Sequence, residues 1–208
     1  MQSPVRRIGF GRYVFDVSEN VYEPAEDSFL FAENIEVEKG AQVLDVGAGC
    51  GILGILAAEK AAAVFAIDLN PYALRCAKEN SMLNKVDSKM AFLQTDLLTA
   101  FDVTARFDLI LFNAPYLPAD EHEAETWIGR SWAGGIDGRQ VIDRFIFQVQ
   151  PHLKSSGRVL LMQSTLVNVE ETIHKFREHH LHAKVKAELK LPFFETLILI
   201  EAKTGPQG

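Results

Sequence analysis

The amino-acid sequence predicts an α/β domain: a mostly parallel sheet with helices on both faces and a late antiparallel strand pair. Three observations carry that expectation. Short apolar runs alternate with helical patterns after residue 40, a glycine-rich turn joins the first such run to a helix, and two strand-like segments close the chain. Crossover helices cover both faces of a parallel sheet, and ligands then bind outside the carboxyl ends of its strands, near the switch in strand order.

Taken in order, Ala41 to Val46 reads as the first strand of that alternation, and Gly51 to Lys60 as a helix with Ile52, Leu53, Ile55 and Leu56 on its core side. Ala63 to Ile67 is a second strand. Asn70 followed by Pro71 is an N-cap with proline in the first helical position, opening a helix that runs to about Leu83. Met90 to Gln94 is a third strand and Phe107 to Phe112 a fourth. Val141 to Leu153 is helical, and Arg158 to Gln163 is a fifth strand. Val167 to His179 is a helix with Val169, Ile173 and Phe176 at helical spacing. Segments near Ala183 to Lys190 and Thr196 to Glu201 form the antiparallel pair. With no internal repeat, low-complexity stretch or linker, residues 1–208 read as one domain, with 1–40 an N-terminal extension and 203–208 a flexible tail.

The chain has 208 residues, 48% of them hydrophobic, ample for one core, and a formal charge of -7. An acidic balance argues mildly against a duplex nucleic-acid partner, which needs concentrated basic surface. The two cysteines, Cys50 and Cys76, are not in a C-x-x-C arrangement, which disfavours a zinc site or disulfide framework. His179, His180 and His182 lack acidic or thiol companions at ligand spacing, so no metal is expected. No signal peptide or membrane-length apolar run is evident, and a soluble cytoplasmic protein is the default expectation.

Asn113-Ala114-Pro115-Tyr116 is the most informative segment. It follows the buried strand Phe107 to Phe112. There the Asn113 side-chain oxygen and the Ala114 carbonyl can accept hydrogen bonds from one planar NH2 group, while the Tyr116 ring lies against that plane. Methylation of an amide or amino nitrogen is the leading chemistry for such a grip. Upstream, Leu44-Asp45-Val46-Gly47-Ala48-Gly49-Cys50-Gly51 lets the backbone turn tightly against a ligand. Ile52 stands where a dinucleotide fingerprint wants glycine, which lowers a dehydrogenase reading. Asp68, about 20 residues on, is placed to accept both ribose hydroxyls of a nucleoside. Asp96, just past the third strand, is placed to accept from an adenine amino group; the alternatives are that Asp68 only supports the Asn70 helix start and that Asp96 serves turn chemistry.

Together, Asp45-x-Gly47-x-Gly49-x-Gly51, Asp68, Asp96 and the late antiparallel pair resemble class I S-adenosylmethionine-dependent methyltransferases with their Rossmann-like seven-stranded sheet. Asn113 to Tyr116 resembles the N-P-P-Y motif of those that methylate planar nitrogens. Val21-Tyr22-Glu23-Pro24-Ala25-Glu26-Asp27-Ser28-Phe29-Leu30 and Gly134-Gly135-Ile136-Asp137-Gly138-Arg139 resemble segments of HemK-type protein glutamine methyltransferases of the archaeal and eukaryotic branch. The resemblance implies S-adenosyl-L-methionine as cofactor, held by Asp27, Ser28, Asp45, Gly47, Ala48, Gly49, Gly51, Asp68, Leu69, Asp96, Leu97 and Asn113. It implies catalysis by Asn113, Ala114, Pro115 and Tyr116, with Asp27 and Ser28 toward the methionine end of the cofactor. The implied acceptor is the glutamine amide of the Gly-Gly-Gln motif of a class I translation release factor. Ala114 replaces the family's usual proline; alanine keeps the required carbonyl and loses some stiffness in φ.

The same resemblance implies a small zinc-binding activator subunit, for which the apolar strand Met90 to Gln94, expected at a sheet edge, offers a pairing site. The long connection from Leu117 to Gln140 carries Asp120, Glu121, Glu123 and Glu125 with Trp127 and Trp132. It reads either as an acidic lip for a basic protein loop or as a solvated loop with two core tryptophans. The alternatives to a glutamine methyltransferase are an enzyme acting on the exocyclic amine of adenine in DNA or RNA, and a non-catalytic nucleotide-binding scaffold.

Overall fold

The computed structural model describes residues 6–120 and 122–205. A hairpin of β1 (Arg6–Phe10) and β2 (Tyr13–Val17) opens the described chain. It is followed by α1 (Glu26–Glu33), β3 (Gln42–Val46), α2 (Ile52–Ala58), β4 (Ala63–Asp68), α3 (Pro71–Leu83), β5 (Met90–Gln94) and β6 (Phe107–Asn113). Then come α4 (Trp127–Arg130), α5 (Gln140–Val149), β7 (Leu153–Ser164), α6 (Val169–Glu178), β8 (Leu181–Lys190) and β9 (Thr196–Thr204). The main sheet has seven strands in the order β5-β4-β3-β6-β7-β9-β8. Strands β3 to β7 pair in parallel, β9 runs antiparallel to β7, and β8 antiparallel to β9, as the sequence predicts. From β3 the chain builds outward through β4 and β5, then returns to the other side of β3 as β6. The strand order therefore reverses between β3 and β6, where an α/β sheet opens its crevice.

The strands' alternation divides the core into two layers. Val43, Leu109, Leu111, Leu160 and Met162 face α1 and α2, while Leu44, Val46, Ile110, Phe112 and Leu161 face the aromatic and aliphatic stripe of α5 and α6. Asn70 caps α3 as expected, its Oδ1 accepting from the Tyr72 amide at 2.9 Å. The two sheet edges differ. β5 carries no charged side chain, whereas β8 carries Lys184, Lys186, Glu188 and Lys190.

Several boundaries move. The β1–β2 hairpin was not expected from the sequence, although its two-residue turn has Gly11 at φ +57, the conformation a tight hairpin asks of its first loop position. Asn80 on α3 and Asn84, the residue that caps its end, hold β2: each accepts from one β2 amide and donates to a β2 carbonyl. Strand β7 begins at Leu153 rather than Arg158, because the segment re-pairs with β6 across a bulge near Phe107. Helix α5 stops at Val149, before a short 3-10 turn that contains Pro151. The expected tail from residue 203 is a correction in part: Lys203 and Thr204 still pair inside the sheet, and residues 206–208 lie outside the described chain.

Candidate active site

A cavity of about 760 Å³ opens at the carboxyl ends of β3, β4 and β6, within the size range of cofactor sites. Its floor is the turn after β3. Gly47 and Gly49 take φ +64 and +56, a conformation that bends the backbone sharply and that L side chains resist. Asp68 ends β4. Its carboxylate accepts from the Gly49 amide at 3.0 Å and from the Asn70 amide at 2.8 Å, so it ties the glycine turn to the start of α3. Burial raises its pKa above the ordinary carboxylate value. Leu97, in the left-handed region at φ +50, completes this side with Leu69 and Asp96. The free end of Asp96 is held by Arg144 of α5, whose guanidinium donates to Oδ2 at 2.6 Å.

The opposite wall is built around Asn113, the last residue of β6. Its amide Nδ2 donates to Asp27 Oδ2 at 3.0 Å and to Ser28 Oγ at 3.3 Å. The orientation follows from chemistry: a carboxylate oxygen only accepts, so the NH2 end must face Asp27. Asn113 Oδ1 is buried and has no hydrogen-bond partner among the described residues. Asp27 is itself fixed, since its Oδ1 accepts from the Ser28 amide at 2.6 Å, the Ser28 hydroxyl at 3.1 Å and the Tyr22 hydroxyl at 3.2 Å. Burial, and then the nearby Asp27, push the Tyr116 phenol above its ordinary range, so Tyr116 is a neutral ring at physiological pH. The same two causes act on Tyr22.

The long connection after β6 folds back onto this wall. Its two limbs pair through Leu117 N to Trp132 O at 2.9 Å, Gly134 N to Leu117 O at 2.8 Å and Ala119 N to Gly135 O at 3.0 Å. A Cβ on Gly138 would lie 2.4 Å from both the Tyr116 carbonyl and Val167, so glycine is required there. Arg139 is buried and anchors the base of the loop to α6, donating to Asn168 O at 2.7 Å and Thr172 Oγ1 at 3.0 Å, and to Asp143 Oδ1 at 2.8 Å. The Gly134 to Arg139 segment is thus a buttress behind Tyr116. Trp127 and Trp132 are half-buried cavity walls, neither core residues nor solvated, and the Arg130 guanidinium lies 5.1 Å from the Trp127 ring centre. Asp120, Glu123 and Glu125 are exposed beside the wall residue Ala124, and Glu121 lies outside the described residues.

Of the expected site residues, Asp27, Ser28, Gly47, Ala48, Gly49, Asp68, Leu69, Asp96, Leu97, Asn113, Ala114, Pro115 and Tyr116 all line this cavity. Two, Asp45 and Gly51, do not line it. Asp45 shares the sheet face of Val43 beneath α2, and its Oδ2 accepts from the Gly54 amide at 2.9 Å in the first turn of that helix. It caps α2 from below. Burial pushes its carboxyl up to about 7. Gly51 starts α2 at φ +89 with its α-carbon against Ala77, where a Cβ would approach to 3.0 Å; it shapes the turn without facing the cavity. Arg144 and Tyr22 enter the site without a role assigned to them from sequence. Arg144 lies on the polar flank of an amphipathic helix, where nothing in spacing distinguishes it from a solvated arginine.

The parallel sheet, the late antiparallel pair and the cleft at the order switch define a class I S-adenosylmethionine-dependent methyltransferase fold. The solved Mtq2–Trm112 complex of E. cuniculi, described as responsible for methylation of the termination factor eRF1, superposes with a TM-score of 0.68 at 23% identity, covering 89% of this chain and 99% of that one. Residues 22–129 match the model of the methyltransferase small domain family. A Methanocaldococcus jannaschii protein to which N5-glutamine methyltransferase activity is ascribed is 41% identical over 181 residues, 86% of this chain and 90% of its own length. Human methyltransferase HEMK2 is 34% identical over 165 residues, 74% of this chain and 76% of its own. The chain belongs to the methyltransferase small domain family, among its HemK-type protein-glutamine N-methyltransferases.

Proposed function

We propose that this methyltransferase transfers the methyl group of S-adenosyl-L-methionine to the side-chain amide nitrogen of the Gly-Gly-Gln glutamine of a class I translation release factor. One observation carries the reading: a buried carboxamide oxygen, Asn113 Oδ1, stands uncommitted in the cavity wall while its NH2 partner is spent on Asp27 and Ser28. A buried acceptor without a donor costs stability, and a planar NH2 from a substrate removes that cost. The Ala114 carbonyl, next in chain, is the second acceptor.

The cavity residues suit the cofactor. Asp68 takes the ribose hydroxyls, Asp96 the adenine amino group, and the Gly47 to Gly49 turn lets backbone approach closely; when bound, the cofactor supplies a methyl carbon on a cationic sulfur. An amide nitrogen is a poor nucleophile because its lone pair is shared with the carbonyl. Hydrogen bonds from its NH2 to Asn113 Oδ1 and the Ala114 carbonyl return electron density to nitrogen and aim it. Positioning of this kind supplies up to roughly 7–11 kcal/mol in ideal cases. Tyr116 covers the amide plane and keeps water out. As the C–N bond formed, the methyl carbon's bond to sulfur would break with its electron pair going to sulfur, and the surplus proton would pass to solvent once the nitrogen had become far more acidic, so no strong base is required.

Asp27 and Ser28, expected at the methionine end of the cofactor, serve chiefly to set the orientation of Asn113. The uncharged edge of β5 is the place for a small activator subunit to add a strand, a reading supported by the partner in the Mtq2–Trm112 complex. The decisive experiment offers labelled cofactor with release factor, its Gln-to-Ala variant, or RNA, each with and without a candidate activator. Label on the release factor alone, lost in the Gln-to-Ala variant, is the expected result; label on RNA would transfer the assignment to an adenine amine, and binding without transfer to any acceptor would leave a scaffold.

A further inference from the structure

The three most exposed large apolar side chains among the described residues are Phe194 at 103%, Phe193 at 95% and Ile136 at 92%. All three stand on loops at the same end of the sheet as Asn113. Phe193 and Phe194 lie in the β8–β9 turn, which begins beyond the pairing of Ser164 with Leu197, while β6 ends level with Met162. Ile136 lies in the buttress turn behind Tyr116. Leu166, 54% exposed, lies in the β7–α6 loop at the same end.

These loops are laced into one body. Thr165 and Thr196 exchange bonds, Thr165 N to Thr196 O at 2.9 Å and Thr196 N to Thr165 Oγ1 at 3.0 Å. Val167, next to Leu166, presses on Gly138, two residues from Ile136. The β8–β9 turn is closed by Leu191 N to Glu195 O at 2.8 Å, and holds both phenylalanines in the left-handed region, φ +63 and +70. Two aromatic rings in water on a backbone that L residues resist gain nothing from burial in this chain.

We propose that Ile136, Leu166, Phe193 and Phe194 form a docking ridge for the folded body of the protein substrate, beside the cavity that receives its glutamine. This rests on the glutamine-methylation reading and specifies how the enzyme recognises a protein around the reacting side chain. Continuity with the site argues for that occupant, because the Gly138 turn that carries Ile136 is wedged between Val167, beside Leu166, and the Tyr116 carbonyl of the cavity wall. Charge argues for it as well: Glu195 on one flank, and Asp120, Glu123 and Glu125 beside the cavity wall, repel phosphates and suit an apolar socket with basic surroundings.

The test compares two acceptors, intact release factor and a short peptide carrying Gly-Gly-Gln, with the wild-type chain and the double variant Phe193→Ser/Phe194→Ser. The expected result is a KM for release factor raised by about tenfold or more, with peptide kinetics, cofactor affinity and melting temperature unchanged. Unchanged release-factor kinetics would overturn the ridge, and so would equal losses on both acceptors, which would mean that the turn acts through the site or the fold. Concentration-dependent self-association abolished by the double variant would assign the ridge to a second copy and also overturn it. If wild type methylates neither acceptor even with the activator present, the glutamine reading fails and the ridge with it; if wild type methylates and the variant does so equally well, only the ridge fails.

Discussion

The two halves of the cleft are made in different ways. The half proposed for the cofactor is local: the turn after β3 and the end of β4 are joined by bonds from backbone amides to one carboxylate, Asp68, within 19 residues of chain. The acceptor half is assembled from afar, with Asn113 oriented by a carboxylate 86 residues earlier and Tyr116 backed by a turn that is bolted to α6 through Arg139. A local site tolerates variation elsewhere in the fold. A long-range one links the transfer geometry to correct packing of α1, β6 and α6 at once.

Substitutions should separate the halves. Asn113→Ala is expected to drive methyl transfer to background, a loss of about 10³-fold or more, while calorimetric affinity for the cofactor stays within about threefold, because in the proposed mechanism the Asn113 oxygen is offered to the acceptor. Full activity in that variant would break the amide clamp. Asp27→Ala releases the Asn113 amide to rotate, so turnover should fall about 10²-fold with little change in cofactor binding; Asp27→Asn, which keeps an oxygen for Asn113 Nδ2, should recover part of it. No recovery would show that Asp27 acts through charge and not through orientation.

Asp68→Ala should do the reverse, weakening the cofactor by about 10- to 100-fold, the worth of charge-assisted bonds to a diol, while transfer at saturating cofactor changes far less. An unchanged dissociation constant would remove Asp68 from the ribose. The smallest effect belongs beneath the cofactor half, at Asp45. Its folded pKa, about 7, lies above the ordinary carboxylate value, so the folded state holds a proton that the unfolded state gives up. That contribution is fully present below the unfolded value and is lost as pH rises through 7. Melting temperature should therefore decline by several degrees between about pH 5 and 8, and Asp45→Asn should flatten the decline.

The backbone of the glycine turn and the end of β4 was largely legible in the sequence because its signals are local. Alternate glycines after an apolar run, an aspartate about 20 residues on and the Asn70-Pro71 cap each fix backbone geometry nearby. Asp45 was legible as a motif residue but not as a buried cap of α2, which follows from the pleat placing it on the face of Val43. The Asn113–Asp27 bond was not legible, since no local rule relates residues on β6 and α1. The same holds for Arg144, and for Trp127 and Trp132, whose placement depends on the loop folding back through Leu117. The β1–β2 hairpin did have a signal, Gly11 between two alternating runs, set beside Asn80 and Asn84 that take up its backbone groups.

The unequal edges of the sheet bear on how the molecule assembles. A row of lysines along β8 discourages strand addition there, and uncharged β5 invites it. Accretion is thus possible at one end only, so a filament cannot propagate through the sheet, and the expected stoichiometry with an added strand is one to one.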